Sequence, residues 1–360
     1  MISDRRKTPP RAVVRAVERV RDGLAGAHRR LVPGHFALLE MVAAGWLSQA
    51  IHAAAALDIA GALADGPRDG ADLARTVGAD PDALQRLLRL LIAHGIFARR
   101  RDGRYTLTPM ARALRTDAPV PLRDAVLFYG GATHRDHWTR LVDAVRTGAP
   151  AVPARAFFDL VRTDRELGDM FHRAMSDIEG LGQQAVLTAH DFTRYRSIVD
   201  IGGGRGALLA EILRRVPNCT GILFDLPEVV ADAPGWPAGA TGRCTAVGGS
   251  FFESVPAGAD AYLLKHILHD WPAEQAGQIL RTVRAAMPPT ARLLVVELVL
   301  PEHDRPHPGN FIDLEMLVNT GGRERSESEY RALLADSGFT LVSCTPTMSP
   351  ENVLEAVPTP

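Results

Sequence analysis

Apolar positions recur every three to four residues through the first half of the 360-residue chain, then give way to short unbroken apolar runs. Val13, Val17, Val20 and Leu24 keep helical spacing, which predicts an amphipathic helix behind a flexible tail. From LLEMVAAGWLSQAIHAAAALDIAGALADG to RALRTD the pattern stays helical. Within it, DGADLARTVGADPDALQRLLRLLIAHGIF predicts a helix, a turn and a second helix. Asp80 is placed to cap the second helix, Pro81 to open it, and Leu84, Leu87, Leu88 and Leu91 to form its buried stripe. ARRRDGRYTLTP then predicts a short hairpin turning at Asp102-Gly103. Together these give the outline of a winged helix. Residues 120–195 are again helical in pattern, with a loop at TGAPAVPAR.

The texture changes at RYRSIVDIGGGRGALLAEILRRV, where a strand, a glycine cluster and a helix follow one another. CTGILFDLP, DAYLLKH and RLLVVEL are further apolar runs, separated by helical stretches up to residue 300. Strands alternating with helices predict an α/β fold whose doubly wound parallel sheet is covered on both faces. The expected divisions are a basic tail and helix (1–30), a winged-helix-like domain (31–118), a helical connector (119–190) and a nucleotide-type domain (191–360).

A net charge of -1, with 46% hydrophobic and 23% charged residues, describes an ordinary globular chain with no global attraction to nucleic acid or membrane. Residues 1–30 are the local exception, with nine basic residues against three acidic ones. Docking of that helix on a partner subunit is the expectation. The hairpin arginines Arg99, Arg100, Arg101 and Arg104 raise a DNA-binding alternative, but DALQRLLRLLIAH has few polar residues for reading base edges. Cys219, Cys244 and Cys344 are scattered without metal-ligand spacing, which suits a reducing compartment. No apolar run approaches a membrane span and no secretory signal is evident, so a cytoplasmic protein is expected. Of the 41 basic residues only Lys7 and Lys265 are lysines.

The glycine cluster follows a strand and opens a helix, where backbone can approach a ligand closely. Gly202, Gly204 and Ala207 satisfy the dinucleotide pattern, with Asp225 placed for a ribose. Gly202, Gly204 and Gly206 equally satisfy a loop used by nucleoside cofactors without a pyrophosphate. Asp200, immediately before the glycines, would repel a pyrophosphate and suits a cationic ligand. S-adenosylmethionine, with a sulfonium and an ammonium and no phosphate, fits better than NAD.

VDIGGGRG, FDLPEVV, GSFFESVPAGADAYLLKHILHDW, VVELVLPE and NTGGRERSESEYRALLADSGF occur in an order that resembles the small-molecule O-methyltransferases of plants and bacteria, of the caffeate, hydroxyindole and polyketide type. The resemblance spans nearly the whole chain. It implies a class I methyltransferase catalytic domain, a homodimer joined through the N-terminal domain, and S-adenosylmethionine as cofactor. It also implies that Gly202 and its neighbours line the methionine portion, Asp225 binds the ribose with Leu226 beside it, Ser250 and Phe251 flank the adenine, and Lys265 touches the cofactor. Ser250 stands where the family usually has aspartate, which implies weaker binding without charge assistance.

In KHILHDWPAE, Pro272 predicts a helix start, and Ala276, Ile279, Leu280, Val283 and Met287 its buried stripe. His269 therefore belongs to the loop leaving a strand, on the edge where open α/β sheets bind ligands, with Asp200, Asp225 and Glu297 ending their strands on the same side. A phenol of pKa about 10 needs a base near 7 to become a good methyl acceptor, and histidine suits that role when a carboxylate fixes its tautomer. The resemblance places Glu297 and Glu324 beside the base, with Glu327 as a competitor of Glu324. It places Phe171, Met175, Asp270 and Asn319 at the acceptor. No metal is expected: at this spacing two imidazoles meet on a helix, the segment leaves a strand, no third ligand is evident, and Asp270 is read as capping the next turn. The leading expectation is methylation of a hydroxyl on an aromatic or polyketide-like molecule. The rivals are a winged-helix regulator sensing S-adenosylmethionine and an NAD-dependent dehydrogenase.

Overall fold

The structure, a computed structural model, describes residues 11–231, 242–303 and 306–359. The basic tail with Lys7 lies outside these residues. They form two compact units. One contains the described residues up to Asp136 together with Val161–Leu181; the other contains His137–Leu160 and the described residues from Gly182 onward. The segment 119–190 is thus divided between the two units.

In the first unit the helices Gly34–Ala56, Gly70–Val77 and Pro81–Ala93 pack with Phe97 and Tyr105 around Ala54, Ile59, Leu73, Leu88 and Leu91. Each of the two shorter helices begins where a carboxylate satisfies an otherwise unpaired amide. Asp69 accepts from the N–H of Asp72 at 2.8 Å and Asp80 from that of Ala83 at 2.9 Å. Leu84, Leu88 and Leu91 are buried, and Leu87 is half-buried. Strands β1 (Phe97–Arg99) and β2 (Tyr105–Leu107) pair antiparallel. Arg104 is held by Asp102 at 2.7 Å, and Arg99 donates to the Gly103 carbonyl. Val17, Val20 and Leu24 on the helix Arg11–Arg30 are exposed, as are Phe36, Met41 and Trp46 on Gly34–Ala56. Val17, Val20 and Leu24 of the stripe read from the sequence therefore have no cover among the described residues.

The second unit is built on a sheet of β3 (Ser197–Ile201), β4 (Thr220–Asp225), β5 (Cys244–Gly248), β6 (Ala261–Lys265), β7 (Arg292–Leu300), β8 (Arg325–Ser326), β9 (Phe339–Pro346) and β10 (Glu351–Pro358). Its order is β5-β4-β3-β6-β7-β10-β9, with β8 pairing β7 beyond this path. The strands β3 to β8 run parallel, while β10 lies antiparallel between β7 and β9. Leu293 and Val295 face one layer with Tyr262 and Leu264; Leu294 and Val296 face the other with Leu263. That is why these strands read as continuous apolar runs. The helix Ala273–Ala286 seats Ala276, Ile279, Leu280 and Val283 on the first face, and Ala207–Arg215 seats Leu209 and Ile212 on the second. Each such leucine or isoleucine contributes about 1.5–3 kcal/mol by leaving water.

Two details depart from expectation. Pro272 is the N-cap of Ala273–Ala286, not its first residue, and no side chain caps that helix; Asp270 does not serve it. Nor does Glu297 end its strand. Lys265 of β6 pairs with Val296, so Glu297 is level with the end of β6, but β7 continues to Leu300 because β8 and β10 still pair with it.

Asp80→Ala should lower stability by about 1 kcal/mol, and Asp80→Asn by much less, because asparagine keeps the accepting oxygen. Chemical denaturation followed by circular dichroism reads both, and equal losses would contradict the capping role.

Candidate active site

Every feature of this site lies in the second unit, along the carboxyl edge of its parallel strands. At the end of β3 the chain turns through Gly202, Gly204 and Gly206, with φ of 66°, 57° and 76°. Side chains other than glycine rarely adopt this backbone. A Cβ on Gly204 would meet nothing within 4 Å, so the loop is open there, while one on Gly202 would strike Ile267. Asp200 is buried behind the loop. Asp225, at the end of β4, accepts from the N–H of Gly204 at 2.8 Å and from that of Leu226 at 2.7 Å. Leu226 is 39% exposed, Ser250 accepts from the N–H of Phe252, and Phe251 packs edge-on against Phe252.

At the end of β6, Lys265 is buried instead of solvated. Its Nζ lies 4.0 Å from Glu351 and has no hydrogen-bond partner among the described residues. His266 then takes a φ of 53°, a left-handed conformation that costs about 1–2 kcal/mol outside glycine. The reversal starts a single tight turn, Leu268–Asp270, which carries His269. Glu297 reaches across from β7, and its Oε1 accepts the N–H groups of Ile267 and Leu268 at 3.1 and 2.9 Å. One buried carboxylate therefore fixes the turn on which the imidazole stands.

Glu324 arrives from the other side by backbone contact. The Arg323 N–H donates to the His269 carbonyl at 2.8 Å, and a Cβ on Gly322 would fall 1.9 Å from that same oxygen. Only glycine permits so close a crossing. Arg325 donates to the carbonyls of Leu268 and Trp271, closing the turn from below, and Asp313 accepts the Glu324 N–H. His269 Nδ1 consequently donates to Glu324 Oε1 at 2.7 Å, which leaves Nε2 as the other ring nitrogen. Glu327 lies instead at a helix start, paired with Arg331.

These distances overturn one premise. His266 and His269 meet without a helix, their ring centroids 5.2 Å apart, because the left-handed residue folds the chain back. A third group is also present: ligand atoms of His266, His269 and Glu297 lie within 4.8 Å of one another.

Charge is concentrated here. Burial alone would push the His269 pKa down, but Glu297, Glu324 and Asp270 outweigh it and raise it to about 10, well above the value near 7 expected for a base. Burial raises Asp270 to about 6, its Oδ1 lying 3.7 Å from His269 Nε2. Burial also raises Glu324, whereas the neighbouring histidines hold Glu297 low despite its burial.

Of the residues expected at the acceptor, Asn319 is buried with its amide committed. Its Oδ1 lies 2.6 Å from His137 Nδ1, and its Nδ2 donates to Glu315, which also accepts from Trp138 Nε1 at 2.7 Å. Phe171 and Met175 belong to the first unit, where Phe171 lies edge-on to Phe128. His137, Glu315, Arg325 and Glu351 were not singled out from the sequence. Only the close spacing of Gly321-Gly322 with Arg325 carried a usable signal, that of a backbone crossing.

An open glycine loop and acidic groups at the ends of β3 and β4 fit a cationic nucleoside cofactor. The fold and this edge define a class I methyltransferase. Residues 138–340 match the O-methyltransferase domain and residues 39–117 the O-methyltransferase dimerisation domain. Phenazine O-methyltransferase PhzM of Lysobacter antibioticus is 38% identical over 333 residues, covering 91% of this chain and 97% of that one. O-demethylpuromycin-O-methyltransferase of Streptomyces alboniger is 41% identical over 323 residues, 86% of each chain. The solved structure of CalO1, a methyltransferase in calicheamicin biosynthesis in its SAH-bound form, is 34% identical, with a TM-score of 0.80 over 91% of this chain and 98% of that one. The chain belongs to this family of S-adenosylmethionine-dependent O-methyltransferases, which removes the dehydrogenase reading.

The raised His269 pKa has a consequence for stability. Its proton favours the folded state fully below about pH 6.5 and ceases to do so as pH rises through about 10. Melting temperatures of the ligand-free protein should fall across that window, and His269→Gln should flatten the decline. An unchanged slope would place the proton elsewhere.

Proposed function

We propose that this protein methylates a hydroxyl of an aromatic secondary metabolite, with His269 as general base. The single observation that carries the reading is the His269 Nδ1 donation to Glu324, which orients the ring and reserves Nε2 for the acceptor. When bound, S-adenosylmethionine would supply an electrophilic methyl on a sulfonium, with a neutral thioether as the leaving group. The residues of the chain do the rest. Nε2 takes the acceptor's hydroxyl proton as the new carbon–oxygen bond forms, a contribution of about 10²–10⁴ in rate. Glu324 stabilises the resulting imidazolium, as a carboxylate does for any base histidine. Glu297 holds the turn that aims it.

For the cofactor, Asp225 is proposed to accept the ribose hydroxyls with Leu226 beside it, and Ser250 and Phe251 to flank the adenine. Gly202, Gly204 and Gly206 would admit the methionine portion, with Asp200 and Lys265 near its charges. For the acceptor, Asp270 and Asn319 are proposed to shape the pocket. The aromatic class is supported by relatives named phenazine O-methyltransferase and O-demethylpuromycin-O-methyltransferase. The reading needs no metal, because a sulfonium methyl requires no Lewis acid. No helix among the described residues is long and apolar enough to cross a membrane, and a cytoplasmic, homodimeric enzyme is proposed.

His269→Gln should lower turnover of a phenolic acceptor by about 10²–10⁴ while the S-adenosylhomocysteine affinity, read by calorimetry, stays near that of the parent. Full activity in the variant would sink the base assignment. Parent enzyme dialysed against a chelator should keep its rate; a loss restored by a divalent ion would show that His266, His269 and Glu297 hold one.

The exposed Trp46 face should be covered by a second copy. Sedimentation should give a dimer for the parent and a smaller species for Trp46→Glu. A parent monomer at micromolar concentration would refute the assembly.

A further inference from the structure

We propose that His137 and Glu315 are positioning residues that set the polarity of Asn319. The acceptor pocket then selects molecules with a second hydrogen-bond donor, a hydroxyl or an amine, beside the hydroxyl that is methylated. This rests on the reading of Asn319 as part of that pocket. An asparagine amide has two N–H groups and two oxygen lone pairs, and either end serves a ligand when the group is free to turn over. The Asn319 amide is not free to do so.

A run of four side chains fixes its orientation. Trp138 Nε1 is a donor only, and it donates to Glu315 Oε2 at 2.7 Å. The other carboxylate oxygen, Oε1, lies 2.9 Å from the Asn319 amide. A carboxylate only accepts, so the atom facing it is Nδ2. The second Nδ2 hydrogen has the Glu315 carbonyl 3.5 Å away, one helical turn back. Oδ1 must then face His137, whose Nδ1, at 2.6 Å, must carry the proton. Both N–H groups of Asn319 are thus directed at Glu315, and what remains to it among the described residues is one lone pair on Oδ1. With Nδ1 protonated, the neutral His137 ring also has only a lone pair left, at Nε2. Each polar position left over on these two side chains accepts, and none donates.

The same network stands close to the base. Asn319 is buried and is the last residue of the helix Gly309–Asn319. The chain then reverses at Gly321, with a φ of 76°, and the next residue, Gly322, is the one that crosses the His269 carbonyl. The segment after Trp138 is tied to the same helix end. The Ala151 N–H donates to the Val318 carbonyl at 2.9 Å, and Arg140 donates to the Ala151 carbonyl at 3.2 Å. A hydroxyl or amine on the acceptor would meet a lone pair at Asn319. An ether oxygen in its place would set lone pair against lone pair in a buried site, which is costly because neither is then satisfied.

Calorimetry on the S-adenosylhomocysteine complex tests this without turnover. Catechol and 2-aminophenol should bind about tenfold or more tightly than 2-methoxyphenol, in which an ether replaces the donor. Equal affinities, or no binding of catechol, would overturn the proposal. Glu315→Gln should erase the preference. Its glutamine gives the oxygen to Trp138 and turns the amino group toward Asn319, whose amide then flips and presents a donor. His137→Leu should weaken the preference and His137→Asn should keep it, because asparagine Nδ2 replaces the imidazole Nδ1 as donor. A merely structural role would lower all the affinities together, so an unchanged ratio in Glu315→Gln also overturns the proposal. The readings beneath it fail separately. Asn319→Leu with parental affinities for catechol and 2-methoxyphenol would remove Asn319 from the pocket and the proposal with it. Full activity of His269→Gln with the preference intact would cost only the base assignment.

Discussion

The hydrogen bond from His269 to Glu324 joins residues 55 positions apart, and the whole carboxyl edge is arranged to keep it. Neither partner sits on a regular strand or helix. Each is on a short connection that would be free to move if it stood alone. Glu297 pins the first from β7 through two backbone amides. Gly322 and Arg325 pin the second by letting backbone cross backbone and then bonding the carbonyls of the histidine turn. Precision here comes from buried backbone groups that must be paired, a stronger restraint than side-chain contact alone.

That arrangement has an electrostatic cost. Three carboxylates are packed close to one imidazole, and each is largely removed from water. Their combined field holds a proton more firmly than a general base should. The compensation lies in the same buried layer, where Lys265 and Arg325 supply positive charge. Acidic groups also stand along the edge at Asp200 and Asp225, which suits a cofactor that brings its own cations. Acid-rich sites of this kind are stable only as coupled sets, so single substitutions within them alter the titration of their neighbours as well as their own contacts.

Much of this was legible from the chain. The strand, glycine loop and helix at SIVDIGGGRGALLAEIL are local features, and so are the helix that Asp80 caps and the hairpin at Asp102-Gly103. Each is specified by residues within a few positions of one another. The antiparallel β10 was harder to read because Glu351, Asn352 and Glu355 interrupt its apolar pattern, although the strand is mostly buried. One of those interruptions, Glu351, turns out to hold His266. Polar residues in a central strand obscure the strand and mark the site at once.

What the sequence determined by itself, then, is most of the elements up to residue 300, the family they belong to, and the histidine that leaves a strand at the ligand-binding edge. It could not determine that His266 and His269 meet, since that depends on one left-handed residue whose ring is held by β7 and β10. Nor could it choose between Glu324 and Glu327, three positions apart. Tertiary structure decided both. The physical reason is the same in each case: local pattern sets where the chain turns, but which groups share a buried, low-dielectric space is set by strands that arrive from elsewhere in the chain.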